Sequence, residues 1–344
     1  MTRVAVVYDA AAPYTPDIVV EQVVAALRTG GHDAHPVGLP LELRDVIATL
    51  SEFRPEMVFN LTESLCGRYE CDFHFAALLD LLGWPFTGND MVGLMLAQDK
   101  VLTKKLLAFD HLPFPRFAAF YDEALEFVGD LRFPLFVKPI RLDASIGIDA
   151  SSVVRKSLDL LEKVRQVRME YGGAALVEEF IEGREISVAV VGNESPLALP
   201  PIEVDFTGFP KRRPRIMDQR AKFDETSAEY RGTKAVVAKL EDPLRDELQR
   251  MATTAYRCLR MRDYGRIDFR LDKQGKPFIL EANPNPYLAK DAELSLAANA
   301  AGIPFAELVE RILRCALDRE RRRPAVRKSE TPLLPFGDEP KPAL

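Results

Sequence analysis

Two stretches near the C-terminal end carry side chains suited to handling phosphate. The first reads Gly265-Arg266-Ile267-Asp268-Phe269-Arg270 and the second Phe278-Ile279-Leu280-Glu281-Ala282-Asn283. Read as strands, they place alternate side chains on opposite faces. Arg266, Asp268 and Arg270 then share one face, opposite Ile267, Phe269 and Leu271. In the second run Ile279, Glu281 and Asn283 lie on one side, and Phe278, Leu280 and Ala282 are buried on the other. Asp272-Lys273-Gln274-Gly275-Lys276 suits the connecting turn. Such a hairpin gathers two carboxylates, an amide oxygen and a guanidinium. Hard oxygen donors of this kind suit Mg²⁺, which takes one or two carboxylates plus substrate phosphates. The arginine suits a phosphoryl group in transfer. The combination points to nucleotide-dependent chemistry.

Three further segments could serve the same chemistry. Lys138 ends the apolar run Leu135-Phe136-Val137, where a charge is costly to bury. It precedes Asp143-Ala144-Ser145-Ile146-Gly147, a small-residue loop whose backbone N–H groups could cradle phosphate oxygens. Lysines at strand ends more often snorkel to the surface. Lys100 follows Asp99 inside a helical pattern, where a solvated face is the ordinary reading. The run Val177-Glu178-Glu179-Phe180-Ile181-Glu182-Gly183-Arg184-Glu185 reads as strand, connector, strand. Acids there ordinarily mark a solvated hairpin edge. Alternatively the run is an inter-domain hinge, with Glu178 meeting a base edge and Glu185 a ribose hydroxyl.

Several elements must hold these residues in place. A strand over 3–9 leads to a helix with Thr15 as cap and Pro16 at its first position, ending at Gly30-Gly31. A short strand over 34–37, a helix over 41–53 and a strand over 57–61 complete a βαβαβ pattern, which implies a parallel sheet. The first turn lacks the glycine fingerprint of dinucleotide folds. A helix over 73–82 follows, and Asn89 caps another reaching 109. Strands over 117–120, 135–138 and 174–180, with helices over 122–129 and 157–170, fit a small α+β lid. Strands over 185–191 and 199–205 precede a helix over 242–261, capped by Asp242, with Leu244, Leu248, Met251, Ala255 and Leu259 as its buried stripe. Beyond 317 the chain turns Arg-, Pro- and Lys-rich and is expected to be disordered.

The chain has 344 residues, 47% hydrophobic and 28% charged, so two or three globular domains are expected. A net charge of −6 argues against nucleic acid or an anionic membrane as partner. The basic clusters at 211–215 and 321–323 read as solvated loop and tail, although the first could meet an anionic substrate. Four cysteines with no paired spacing and no leader-like start suggest a reducing cytoplasm, and no apolar stretch reaches membrane-spanning length.

Together these segments resemble the ATP-grasp superfamily, most closely its D-alanine–D-alanine ligase branch. The matching segments run in order over 3–317: Thr87-Gly88 to Asp99-Lys100, Phe136-Val137-Lys138-Pro139, Val177-Glu178 to Arg184-Glu185, Ala221-Lys222-Phe223, Arg266-Ile267-Asp268 and Glu281-Ala282-Asn283. The resemblance implies a parallel N-terminal domain over 1–99, a central lid over 100–183, a catalytic subdomain over 184–317 and a tail over 318–344. It implies ATP as co-substrate and two Mg²⁺ ions, or Mn²⁺ in their place, held by Asp268, Glu281 and Asn283. Lys100 and Lys138 would bind the α- and β-phosphates, and Lys222 the γ-phosphate. Glu178 would contact the adenine amino group, with Phe180 and Ile181 lining the base, and Glu185 would hold the ribose. Arg266 would stabilise an acyl-phosphate and the tetrahedral intermediate after it, and Ser145 with its loop would close over the γ-phosphate. The reaction implied joins a small carboxylate to an amine, and a homodimer is common among such enzymes.

The chain departs from that branch at the substrate end. The branch places a Glu after the first strand, a Ser in the phosphate loop and a Tyr after the third lysine. Here those places hold the turn Asp9-Ala10-Ala11-Ala12-Pro13-Tyr14, Ala144 and Phe223. Loss of all three members of a hydrogen-bonded trio is consistent with a different, working pocket. Beyond Asn283 a Gly and a Ser are replaced by the run Tyr287 to Ala292, in which Lys290 is either a carboxylate partner or a surface residue. Three readings follow: a ligase for a pair other than two D-alanines, a D-alanine–D-alanine ligase with a rearranged pocket, or a non-catalytic ATP-binding regulator.

Overall fold

A computed structural model describes residues 1–9, 17–121, 125–127, 130–142 and 145–322. The first sheet uses β1 (Arg3–Asp9), β2 (Asp33–Leu39) and β3 (Met57–Asn60), with α1 (Ile18–Thr29) and α2 (Leu43–Phe53) as crossovers. It is parallel in the order β2-β1-β3. Both faces of β1 are covered, which is why Val4 to Val7 are all apolar and buried. The cap of α1 is Asp17, whose carboxylate accepts from the Val19 N–H, rather than Thr15. Thr15, Pro16 and the turn from Ala10 to Tyr14 lie outside the described residues.

After α3 (Asp72–Leu82) the helix expected from Asn89 to 109 is two helices, α4 (Met91–Gln98) and α5 (Lys100–Phe109). Asp90 caps α4 and Asp99 caps α5, its carboxylate accepting from the Val101 and Leu102 N–H groups. An Asp can end one helix and start the next because its side chain replaces the missing backbone acceptor.

The central sheet comprises β4 (Phe117–Phe120), β5 (Leu125–Phe127), β6 (Leu135–Pro139), β7 (Val153–Val154) and β8 (Ala175–Glu179), with α6 (Ser157–Tyr171) packed against it. Its order is β5-β4-β8-β6-β7, antiparallel throughout. The helix expected over 122–129 is overturned by β5, which pairs with the open edge of β4. So short a run gains more from a sheet edge than from an isolated turn of helix; residues 122–124, 128 and 129 lie outside the described residues.

The third sheet contains β9 (Arg184–Val191), β10 (Leu197–Ala198) and β11 (Ile202–Asp205), so the strand expected over 199–205 is shortened to its part after Pro200 and Pro201. It continues through α7 (Gln219–Phe223), α8 (Ala228–Arg231), β12 (Lys234–Val237), α9 (Asp242–Cys258), β13 (Tyr264–Leu271) and β14 (Pro277–Asn283). The strand order is β12-β11-β9-β13-β14, with β10 beside β9. Glu241, one residue before the expected Asp242, occupies the cap of α9.

Two helices close the chain, α10 (Glu293–Ala300) and α11 (Phe305–Arg322). The latter contradicts the disordered tail as far as Arg322; residues 323–344 lie outside the described residues. Arg319 reaches back to the buried Asp263, with Nη1 2.5 Å from its carboxylate, while Arg321 and Arg322 beyond it are exposed, as expected for that basic cluster. α11 also packs its apolar face on α1, and one core runs from β1 and α1 through α10 and α11.

Candidate active site

The paired strands β13 and β14 form the floor of a cleft. Arg266 faces Asn283 across the ladder and Asp268 faces Glu281, as alternation requires. A bulge then shifts the register: Phe269 pairs with Ile279, leaving Leu280 as the extra residue. The faces expected for Ile279 and Leu280 are therefore reversed. Ile279 is buried in the core under α9, while Leu280 joins Glu281 in lining the cleft. Phe278 is only half-buried.

The cleft is open to solvent and lies between the central and third sheets. Ten of the residues singled out from the sequence line it: Lys138, Ser145, Glu178, Phe180, Ile181, Glu185, Lys222, Arg266, Asp268 and Glu281. Lys100 and Asn283 stand just behind. Lys100 is buried, not solvated, and its ammonium donates to the Leu142 carbonyl at 2.8 Å. Asn283 donates from Nδ2 to Asp268 at 2.8 Å.

The charges of the cleft are interlocked. Arg266 holds Asp268 with two parallel bonds of 2.7 and 2.9 Å, and its third nitrogen lies 3.0 Å from Glu293. Burial raises the Asp268 carboxyl, and Glu281 and Glu293 add to the rise against the pull of Arg266. Burial would also raise Glu281, but Lys138, Lys100, Lys222 and Arg266 hold it down at about 2. At the other end Glu185 takes a 2.7 Å bond from Arg270. Its carboxyl is nonetheless raised, because burial outweighs that partner. Arg270 also donates to the carbonyls of Gly183 and Arg215, fixing the connector between β8 and β9. A Cβ at Gly183 would stand 1.8 Å from the Leu271 carbonyl oxygen, so only glycine lets that connector cross the floor.

Glu178 is not a solvated edge residue. It is buried, with one oxygen 2.5 Å from Lys104 and the other 3.0 Å from Lys138. Burial raises its carboxyl, but Lys104 and Lys138 more than offset this and the net direction is down. Apolar surface surrounds these charges: Phe136 stacks on Phe180 at 6.2 Å, with Ile181, Ile216, Met217 and Leu280 nearby in the lining. A flat slot of this composition beside a cluster of cations suits a base attached to phosphates.

Lys222 sits in α7, capped by Asp218. Ser145 adopts a left-handed backbone (φ 59°) and its hydroxyl donates to the Met217 carbonyl at 2.6 Å, tying the small loop to the irregular segment leading into α7. Asp143 and Ala144 lie outside the described residues. The basic cluster at 211–215 is partly structural: Arg213 pairs with Asp218 and Glu229, both buried. Lys290 does not line the cleft, and its ammonium lies over the Phe305 ring at 5.8 Å.

The donor set fits a divalent cation. Asp268 and Glu281 face each other across a ladder and crowd one another electrostatically. No group of three or more His, Cys, Asp or Glu is disposed to hold an ion alone among the described residues. Two carboxylates completed by phosphate oxygens is the arrangement Mg²⁺ favours.

Sequence reasoning missed Lys104, Glu293 and Arg270. Lys104 stands four residues after Lys100, hence on the same helix face, and that spacing was the available signal. Glu293 opens a helix, where acids are ordinary. Arg270 was placed on the polar face of its strand but given no role.

Comparison with known proteins bears on this arrangement. A family model described as "D-ala D-ala ligase C-terminus" matches residues 112–314. The chain is 34% identical over 309 residues to a Sinorhizobium fredii protein described as uncharacterized protein y4sG, covering 88% of each. It is 31% identical over 309 residues to the D-alanine–D-alanine ligase of Pelotomaculum thermopropionicum, covering 87% of this chain and 91% of that one. The Bacillus anthracis D-alanine–D-alanine ligase, solved in complex with ATP, superposes with a TM-score of 0.71 at 21% identity, covering 93% and 99%. The three sheets with their intervening cleft are thus the ATP-grasp fold. The chain belongs to the D-alanine–D-alanine ligase family and is an ATP-dependent ligase that forms C–N bonds.

Proposed function

We propose that the protein activates a small carboxylate with ATP and passes it to an amine, the pair being other than two D-alanines. The observation that carries this reading is the gathering of Lys138, Lys222, Arg266, Asp268 and Glu281 around one cleft with an apolar slot at its end. A carboxylate is a poor electrophile because its leaving group would be oxide. Transfer of the γ-phosphoryl group makes an acyl-phosphate with a good leaving group, which an amine can attack to form an amide. Such transfer requires positioning and charge neutralisation rather than a protein nucleophile.

In this reading Phe180, Ile181 and Phe136 hold the base and Glu185 the ribose. Glu178 sits at the adenine edge. Lys100 and Lys138 take the inner phosphates and Lys222 the outer one, with Ser145 fixing the loop above it. Asp268, Glu281 and Asn283 would hold Mg²⁺, two ions in the fullest case, which when bound neutralise phosphate charge. Arg266 stabilises negative charge on the acyl oxygen as the amine adds. In this reading the chain divides functionally into an N-terminal α/β unit over 1–99, a lid over 100–183 and a catalytic unit over 184–317.

The substrate end supports a pair other than two D-alanines. Phe223 offers no hydroxyl beside Lys222, Asn60 ends β3, and the segments that follow β3 and β14 carry Thr62, Asn285 and Tyr287. The test is phosphate release from ATP and Mg²⁺ with a panel of amino acids and dipeptides. Best stimulation by D-alanine, with its dipeptide formed, refutes the substrate reading. Tight ATP binding with no stimulation by any carboxylate–amine pair refutes the ligase reading at this site.

A further inference from the structure

Lys104 is 1% exposed, lies in the middle of α5, and has no part in the roles above. Its ammonium makes contact with three other elements. It lies 2.5 Å from Oε1 of Glu178 on β8, donates to the Leu280 carbonyl on β14 at 3.4 Å, and stands over the Phe114 and Phe117 rings at 5.6 and 6.0 Å. Glu178 uses its other oxygen, Oε2, to hold Lys138 at 3.0 Å, and Lys138 is in turn 3.7 Å from Glu281. The buried set Lys104–Glu178–Lys138 therefore carries one acid and two cations.

We propose that Lys104 is a positioning residue for the phosphate-binding end of the cleft, a role that rests on the nucleotide reading of Lys138. A buried carboxylate must be neutralised by something nearby. Because Lys104 supplies that charge from behind, the positive charge of Lys138 remains directed into the cleft. Without Lys104, Glu178 and Lys138 collapse into a neutral pair and the cleft loses a unit of positive charge at the phosphates. The bond to Leu280 gives the same ammonium a second function. Leu280 is the bulged residue of the floor, so α5 registers the lid strand β8 against the floor strand β14.

The experiment compares, in each protein with Mg²⁺, the affinity for ATP with that for adenosine, which lacks phosphates. Their ratio is internal to each sample and is insensitive to a misfolded fraction. In Lys104→Met the ratio should fall by about tenfold or more. In the double variant Lys104→Met/Glu178→Gln it should return to within about threefold of the starting value, since removing the acid releases Lys138. An unchanged ratio in Lys104→Met, or a double variant no better than the single one, overturns the proposal. Should Lys104→Met fail to fold, Glu178→Gln with and without Lys104→Met carries the test. Equal ratios in those two support action through Glu178, and a further fall on losing Lys104 refutes it. Lys138→Met is the control for the underlying reading. If it leaves the ratio unchanged, the phosphate role of Lys138 fails; if it lowers the ratio while Lys104→Met does not, only the positioning role fails.

Discussion

The cleft and the region beside it, around the ends of β3 and β14, are built differently. In the cleft, the proposed nucleotide site, charged side chains project from strands and meet opposite charges: Lys138 with Glu178, Arg270 with Glu185, Arg266 with Asp268. In the region proposed for the substrates, neutral groups at strand ends and on the segments after β3 and β14 bond one another. Asn60 accepts from the N–H and hydroxyl of Thr62, Asn285 donates to the Thr62 carbonyl, and Tyr264 donates to Asn285 at 2.7 Å. Phosphoryl transfer tolerates little displacement of its charges, so they are fixed by ladder pairing. Selection of a substrate can change without disturbing that ladder if it is left to loops. The difference explains how one chain can retain family chemistry while departing from the family at Phe223 and beyond Pro284.

If the phosphate end is the conserved machine, damage there should be severe and independent of substrate. Glu281→Ala should lower turnover by about 10³-fold or more, with adenosine affinity changed little. Phosphate-release kinetics beside direct nucleotide binding checks this, and preserved turnover breaks the metal assignment. Arg266→Lys keeps the charge but cannot form the bidentate bond to Asp268. It should cost about 10²-fold in kcat with a smaller change in KM for ATP. A change in KM alone would place Arg266 in ground-state binding.

Glu178→Gln sharpens the comparison through stability. It strands two buried lysines, and the expected loss is about 3–5 kcal/mol, measured by denaturant unfolding. The pH dependence follows from the direction of the shift. The folded carboxyl lies below its ordinary value of 4.5, so its contribution is complete above that value. As pH falls through the lower folded value the contribution is lost, and the gap between the two proteins should narrow below about pH 4.5. A gap that widens in acid would show that Glu178 is protonated in the folded protein.

The same contrast governs what could be read in the sequence. Arg266, Asp268, Glu281 and Asn283 were found because strand alternation has a period of two and both strands keep it over those positions. It failed at Leu280, since a bulge changes the register without a distinctive residue type. Lys100 read by itself as solvated, and Lys104 drew no reading, because helical spacing alone does not say which face another sheet covers. The break at Asp99 was hidden by the absence of Gly or Pro, and the end of α11 by its run of arginines, of which Arg319 finds its partner Asp263 far away in sequence. Local pattern gave the ladder, and tertiary contact supplied the rest.

The smallest effect tests the substrate end. Phe223 stands directly after Lys222 and is 64% exposed. Replacing it by Tyr restores one hydroxyl of the trio that the D-alanine enzymes use. The other two positions still hold Ala144 and a turn without Glu, so the new hydroxyl has no trio to complete. An exposed change of this kind costs or gains little. D-alanine-dependent phosphate release in Phe223→Tyr should therefore stay within about threefold of the parent protein. A large gain, with the D-alanine dipeptide detected as product, would mean that a single hydroxyl separates this pocket from a D-alanine pocket. The two regions would then differ by much less than their construction indicates.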